Sequence, residues 1–186
     1  AAFVAGVNAA GNSGSFMTMF HQGWTHMDIH ALDQCARAFG YAYRRHDAVA
    51  GLPYQTGIVD LIYSSHMLEH LTYAEGVSFL RECRRVIRPE GAMRIIVPDA
   101  GLLAKVYVEG RTERAHAGEV ICDLSDFDEL NEGCANAPTA AGKHWALLHE
   151  GHKSCYDHET LMKALDEAGW LVWPAGFRRT TMSDFR

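Results

Sequence analysis

Three groups of residues in this chain have types and spacings suited to chemistry on a nucleotide-like ligand. The first is the small-residue turn Gly6-Val7-Asn8-Ala9-Ala10-Gly11. Where a side chain is missing, the backbone can pass close to a ligand. Asn tolerates positive φ better than other non-glycine residues, so Asn8 can serve between the two glycines. The second is Asp28, 22 residues after Gly6 (28 − 6). That is close to the roughly 20-residue interval between a glycine turn and a ribose-binding acid in βαβ nucleotide folds. Asp28 also suits a cap for the helical segment that begins at Leu32. The third is Ser64-Ser65-His66, three polar residues that end an apolar run. Histidine titrates near neutrality and suits proton transfer at a reacting group. A neutral histidine bonded to a loop carbonyl fits the same position.

These residues need elements to hold them. Ile58-Val59-Asp60-Leu61-Ile62-Tyr63 is a nearly continuous apolar run of strand length, the pattern of a strand covered on both faces in a parallel sheet. From Thr72 to Ile87 apolar residues recur at Val77, Leu80, Cys83 and Ile87, with Arg81, Glu82, Arg84 and Arg85 opposite. That periodicity predicts an amphipathic helix closed by Pro89 and Gly91, followed by a strand over Met93–Val97. Upstream, Phe3–Val7, Thr25–Ile29 and Tyr41–Arg45 read as strands, with helices over Ser13–Gln22 and Leu32–Phe39. Downstream, Ala100–Glu109 reads as a helix, and Glu159–Ala168 as an amphipathic helix capped by Asp157 and ended by Gly169. Leu171-Val172-Trp173 and Gly176–Arg186 complete the pattern as strands. Strands alternating with helices imply βαβ units and a parallel sheet, and ligands bind such sheets at the carboxyl edge.

The order D-A-x3-L-P-Y (Asp47 to Tyr54), V-D-L-I-Y-S-S-H-x-L-E-H (Val59 to His70) and R-V-I-R-P-E-G (Arg85 to Gly91), then a strand, covers roughly half the chain. It resembles the class I S-adenosylmethionine-dependent methyltransferases, and most of all their small type 11 group. The resemblance implies an α/β fold: a Rossmann-like three-layer sandwich with a mostly parallel seven-stranded sheet, its last strand antiparallel. It also implies S-adenosylmethionine as cofactor. Gly6, Asn8 and Gly11 would then approach its amino-acid end, Asp28 with Ile29 its ribose, and Asp47 with Ala48 its adenine amine. Ser64 and Ser65 would line its methionyl end beside the acceptor pocket, with His66 as the catalytic base. Asp47 also suits a turn. The implied reaction is methyl transfer to a small-molecule or glycan- or lipid-linked acceptor. Asn8 departs from the family's G-x-G-x-G, and the chain starts almost directly in a strand, a reduced N-terminus for this group. Those two features, with Glu90 in Arg88-Pro89-Glu90-Gly91, also suit a catalytically silent methyltransferase-like binding module. A glycine turn plus an acid is shared with NAD and nucleotide-sugar enzymes, against which Leu52-Pro53-Tyr54 and the Arg-Pro-x-Gly signature argue.

At 186 residues, 48% hydrophobic and 22% charged, the chain is expected to form a single domain over 1–186. An acidic, weakly periodic stretch from Glu113 to Gly142 predicts an irregular insertion or lid at about 110–150. A formal net charge of −6 argues against an extended nucleic-acid surface, which needs a basic stripe; the arginines of the helix read as a solvated face. Five widely spaced cysteines without a C-x-x-C pair suit reduced thiols in a cytoplasmic protein. No apolar stretch approaches the ~20 residues that span a bilayer. His144, His149, His152 and His158 match no closed zinc pattern, so no metal is expected. The segment His152 to Asp157 resembles the family's H-x3-Y-D and is expected to cap the cleft. Glu69 and His70 are expected to be structural.

Overall fold

A computed structural model describes residues 2–6, 24–29, 33–38, 40, 42–108 and 152–172. The elements in chain order are β1 (Ala2–Gly6), β2 (Thr25–Asp28), α1 (Asp33–Ala38), β3 (Ala42–Arg45), β4 (Val59–Ser65), α2 (Tyr73–Val86), β5 (Ile87–Ile96), α3 (Ala100–Val108) and α4 (His158–Glu167). The five strands form one parallel sheet in the order β3-β2-β1-β4-β5. The chain steps outward from β1 to β3, then returns to the other side of β1 with β4. That reversal opens a crevice at the carboxyl ends of β1 and β4, the place where doubly wound sheets hold ligands.

Val59 and Ile62 of β4 are fully buried, as their apolar run requires. Against them packs α2, whose Val77, Leu80, Cys83 and Val86 are buried while Arg81 and Arg84 face out. The helix starts at a reciprocal cap. Thr72 Oγ1 accepts from Glu75 N at 3.3 Å, and Glu75 Oε2 accepts from Thr72 N at 2.8 Å, so two end amides lacking helical partners are satisfied at once. Asp157 caps α4 by accepting from Thr160 N at 2.8 Å. Trp170 Nε1 then donates to Leu80 O at 3.0 Å and ties the end of α4 to α2.

The helix expected over Thr72–Ile87 runs from Tyr73 to Val86, and the strand expected at Met93 begins at Ile87. Three residues of β4 (59–61) oppose six of β5 (87–92), since Val59 pairs with Ile87 and Leu61 with Ala92. Arg88-Pro89-Glu90-Gly91 therefore leaves the ladder as a wide bulge, which accommodates a proline that cannot donate to it. Arg88 Nη1 meets Asp60 Oδ1 at 2.9 Å across this bulge.

The Leu52-Pro53-Tyr54 loop is held by α2. Arg85 donates to Tyr54 O at 3.0 Å, to Leu52 O at 3.1 Å and to both oxygens of Glu82 at 2.8 Å. Glu82 in turn accepts from Leu52 N at 3.0 Å. The Arg85 hydrogen bond holds the Glu82 carboxyl below the usual glutamate range. A depressed carboxyl stabilises the fold above its unfolded-state pKa and loses that contribution as pH falls through its folded value. Arg85→Ala is expected to cost about 1 kcal/mol, below the range for buried charged hydrogen bonds and at the top of that for surface ion pairs because the pair is partly exposed. The deficit, read by urea denaturation, should shrink in acid below the glutamate range. An unchanged midpoint for the variant would show that the clamp does not hold this loop.

The expected helix at 13–22, the insertion at 110–150 and the strand at 176–186 lie outside the described residues. Leu171 and Val172, expected to open a strand, are outside any strand, and Trp173 is not among the described residues. The described sheet has five strands rather than the expected seven. No helix among the described residues is long and apolar enough to cross a membrane.

Candidate functional site

The parallel register brings most of the singled-out residues to one edge. Gly6, the last residue of β1, pairs with Ser65 of β4, and Asp28, the last of β2, with Arg45 of β3. His46 N donates to Asp28 O at 2.8 Å, which continues that pairing and leads the chain into Asp47. Gly6, Asp28, Asp47, Ser65 and His66 thus come together at the carboxyl edge. Asn8 and Gly11 lie outside the described residues.

Asp28 is 3% exposed at its strand end, and Ile29 after it is a bend rather than a first helical residue, so Asp28 does not stand at a helix N-cap. Ile29 beside it is exposed, and its carbonyl accepts from Arg45 Nε at 3.0 Å. Asp47 does serve a turn, since Oδ1 accepts from Val49 N at 3.0 Å and caps the short 3-10 turn Ala48–Ala50. Its carboxylate is nevertheless exposed at the edge. Ser64 is buried and donates to Met67 Sδ at 3.9 Å; Ser65 is buried beside Gly6.

His66 adopts φ +49, a left-handed conformation rare for a side chain with Cβ. Its amide donates to Ile96 O at 3.0 Å and so remains tied to β5. Nδ1 stands 3.2 Å from Oε1 of Glu69, whose side chain is almost wholly buried while that of His66 is half exposed. One face of the imidazole therefore meets a buried acid. Such pairing orients a ring and leaves its Nε2 available to exchange a proton.

Glu69 is the partner that the spacing did not single out. It lies in the 3-10 turn Leu68–His70, onto which residues 152–156 are docked. Lys153 N and Ser154 N both donate to Glu69 O, at 2.8 and 3.1 Å, and Ser154 Oγ donates to Leu71 O at 2.8 Å. Tyr156 follows, fully buried, its hydroxyl filling the space over Gly76, where a Cβ would sit 2.6 Å away. The His152–Asp157 segment thus lies beside the turn after β4.

Residues 9–95 match the family described as a methyltransferase domain. No curated protein is similar enough in sequence to match the chain. Among solved structures, the chain is similar to an S-adenosylmethionine-dependent methyltransferase from Archaeoglobus fulgidus, at 14% identity and a TM-score of 0.55, over 90% of this chain and 60% of that one. A second likeness is to a complex between a methyltransferase activator and a candidate methyltransferase from Haloferax volcanii, at 13% identity and TM-score 0.56, covering 98% and 68%. A third, to a candidate O-methyltransferase from Nostoc punctiforme, has 14% identity and TM-score 0.51, covering 92% and 46%. The chain therefore spans about three fifths of the archaeoglobal protein's length. At such identities these likenesses establish the fold, and function has to be argued from the site.

Proposed function

We propose that this chain is a class I S-adenosylmethionine-dependent methyltransferase, a reading supported by the match of residues 9–95 to a methyltransferase domain, that it holds that cofactor across the carboxyl edge of β1, β2 and β4, and that it methylates a small-molecule or glycan- or lipid-linked acceptor. The observation that carries this reading is the placement of Asp28. It is an acid at the end of β2, beside the crevice where strand order reverses. In that position a carboxylate accepts two hydrogen bonds from a ribose. The cofactor supplies an electrophilic methyl on a sulfonium.

The residues present fit such a ligand. Gly6 ends β1 in register with Ser65, and the backbone of Gly6, with Asn8 and Gly11 after it, would take the amino-acid end. Ile29 packs beside the ribose. Asp47, with Ala48, offers an exposed carboxylate to the adenine amine. Ser64 and Ser65 shape the wall of β4. Glu69 would orient His66, whose Nε2 would accept the proton from the acceptor's hydroxyl or amine. Alignment of the reacting atoms and exclusion of water supply much of the remaining rate.

S-adenosylhomocysteine at a hundredfold excess over its dissociation constant should stabilise the protein by about 2.7 kcal/mol. Asp28→Ala is expected to weaken that binding by about 1.5–3 kcal/mol, the range for hydrogen bonds to charged groups. Melts of both proteins with and without ligand check this. An equal ligand shift in wild type and variant would remove Asp28 from the site.

A further inference from the structure

The turn after β4 carries a second cluster, of which the proposed methyl transfer uses Glu69 alone. Glu69, His70 and His152 each bring one ligand atom to within 4.8 Å of the other two. Tetrahedral ligands at ~2.0–2.2 Å from a zinc ion lie about 3.3–3.6 Å apart, so side-chain rotations that bring the donors about 1 Å closer would close the set around one ion. The backbone around the donors is already fixed. Lys153 N and Ser154 N hold Glu69 O, and Ser154 Oγ bridges to Leu71 O. The rings of His70 and His152 meet edge to face, centroids 4.7 Å apart at 77°.

Glu69 supplies an independent observation. It is 2% exposed, and neither carboxylate oxygen accepts a hydrogen bond. His66 Nδ1 lies 3.2 Å from Oε1 without forming one. A carboxylate held away from water, with only a half-exposed imidazole near one oxygen, is costly unless a further positive charge meets it. The two imidazoles beside it offer nitrogen ligands to a cation shared with the carboxylate.

We propose that Glu69, His70 and His152 form a binding site for a divalent transition cation of the zinc type. Two histidines and a glutamate make a three-ligand set that leaves coordination positions for water or an exogenous oxygen. The cation would neutralise the buried carboxylate and cross-link the 152–156 segment to the turn that follows β4. The assignment stands on donor geometry and burial, and holds whether or not the chain transfers methyl groups.

The test uses tag-free protein stripped with a chelator and titrated with Co²⁺, followed by visible ligand-field absorption and thermal melting. The expected result is one Co²⁺ per chain, displaced by Zn²⁺, with a raised melting midpoint. His152→Ala and Glu69→Gln should each weaken uptake by roughly a hundredfold, at the upper end of what even an outer-sphere partner can cost. His158→Ala, outside the cluster, should leave it unchanged. Circular dichroism establishes that each variant is folded, and His152→Ala decides the matter if Glu69→Gln is not. Absence of Co²⁺ uptake by wild type, uptake retained in folded His152→Ala, or equal loss in His158→Ala would overturn the proposal.

Discussion

His66→Ala is expected to lower turnover by about 10²–10⁴-fold, the usual contribution of a positioned base, with S-adenosylhomocysteine affinity near that of wild type. The chain holds this residue at φ +49, a conformation that costs on the order of 1–3 kcal/mol for a residue with Cβ. In exchange, Nδ1 reaches buried Glu69 while half of the side chain stays in solvent. His66→Gly provides the control, since it relieves the backbone and removes the same ring. It should lose as much turnover as His66→Ala while being the more stable of the two variants. A rise in the acceptor's KM with kcat largely kept would instead make His66 a shaping residue of the pocket.

Gly91→Ala should destabilise the fold by about 3 kcal/mol or more, at or beyond the usual range for overpacking. A Cβ at this position would lie 2.5 Å from Ile87 Cγ1, 2.7 Å from Asp60 O and 3.1 Å from Arg88 O. The two carbonyls belong to the backbone of β4 and of the bulge, so rotating a side chain cannot make room. Relief requires reopening the step at which β5 rejoins β4 in register at Ala92. For a chain of this length the loss corresponds to a fall in Tm of about 6–12 °C, at 2–4 °C per kcal/mol. Urea denaturation resolves it readily; a change below about 0.5 kcal/mol, ordinary for a surface site, would show that the bulge is not as described.

The legibility of the fold follows the range of the interactions that determine each part. Local periodicity marks α2, because Val77, Leu80 and Cys83 recur on one face, and Asp157 reads as a cap because its partner Thr160 is three residues away. The run at Ile58–Tyr63 likewise reveals β4, though the strand continues through Ser64 and Ser65. The early start of β5 is harder to see. Ile87 looks like the last apolar residue of a helix, and only its pairing with Val59 makes it a strand. Arg85 looks like part of a solvated face until the Leu52 and Tyr54 carbonyls, more than 30 residues earlier, are brought to it. Glu69 and His70 look structural in isolation, and His152 stands 82 residues beyond His70 (152 − 70). No spacing rule joins such residues; the hydrogen bonds from Lys153 and Ser154 to Glu69 do.

Among the residues proposed to hold the cofactor, Asp28 is legible through its interval from Gly6, and its place at the end of β2 before a bend at Ile29 takes it away from a helix N-cap. Asp47 fits both of its readings at once, because it caps Ala48–Ala50 and still presents an exposed carboxylate at the sheet edge. Ser64 directs its hydroxyl to Met67, a contact that depends on the turn after β4 and not on the strand itself.

The central claim, that the crevice between β1, β2 and β4 takes S-adenosylmethionine, is tested most directly by calorimetric titration with S-adenosylmethionine, S-adenosylhomocysteine and NAD side by side. Saturable binding of the first two at one site per chain, with none of NAD, is the predicted result. Binding of NAD alone, or heat indistinguishable from dilution for all three ligands, would contradict it.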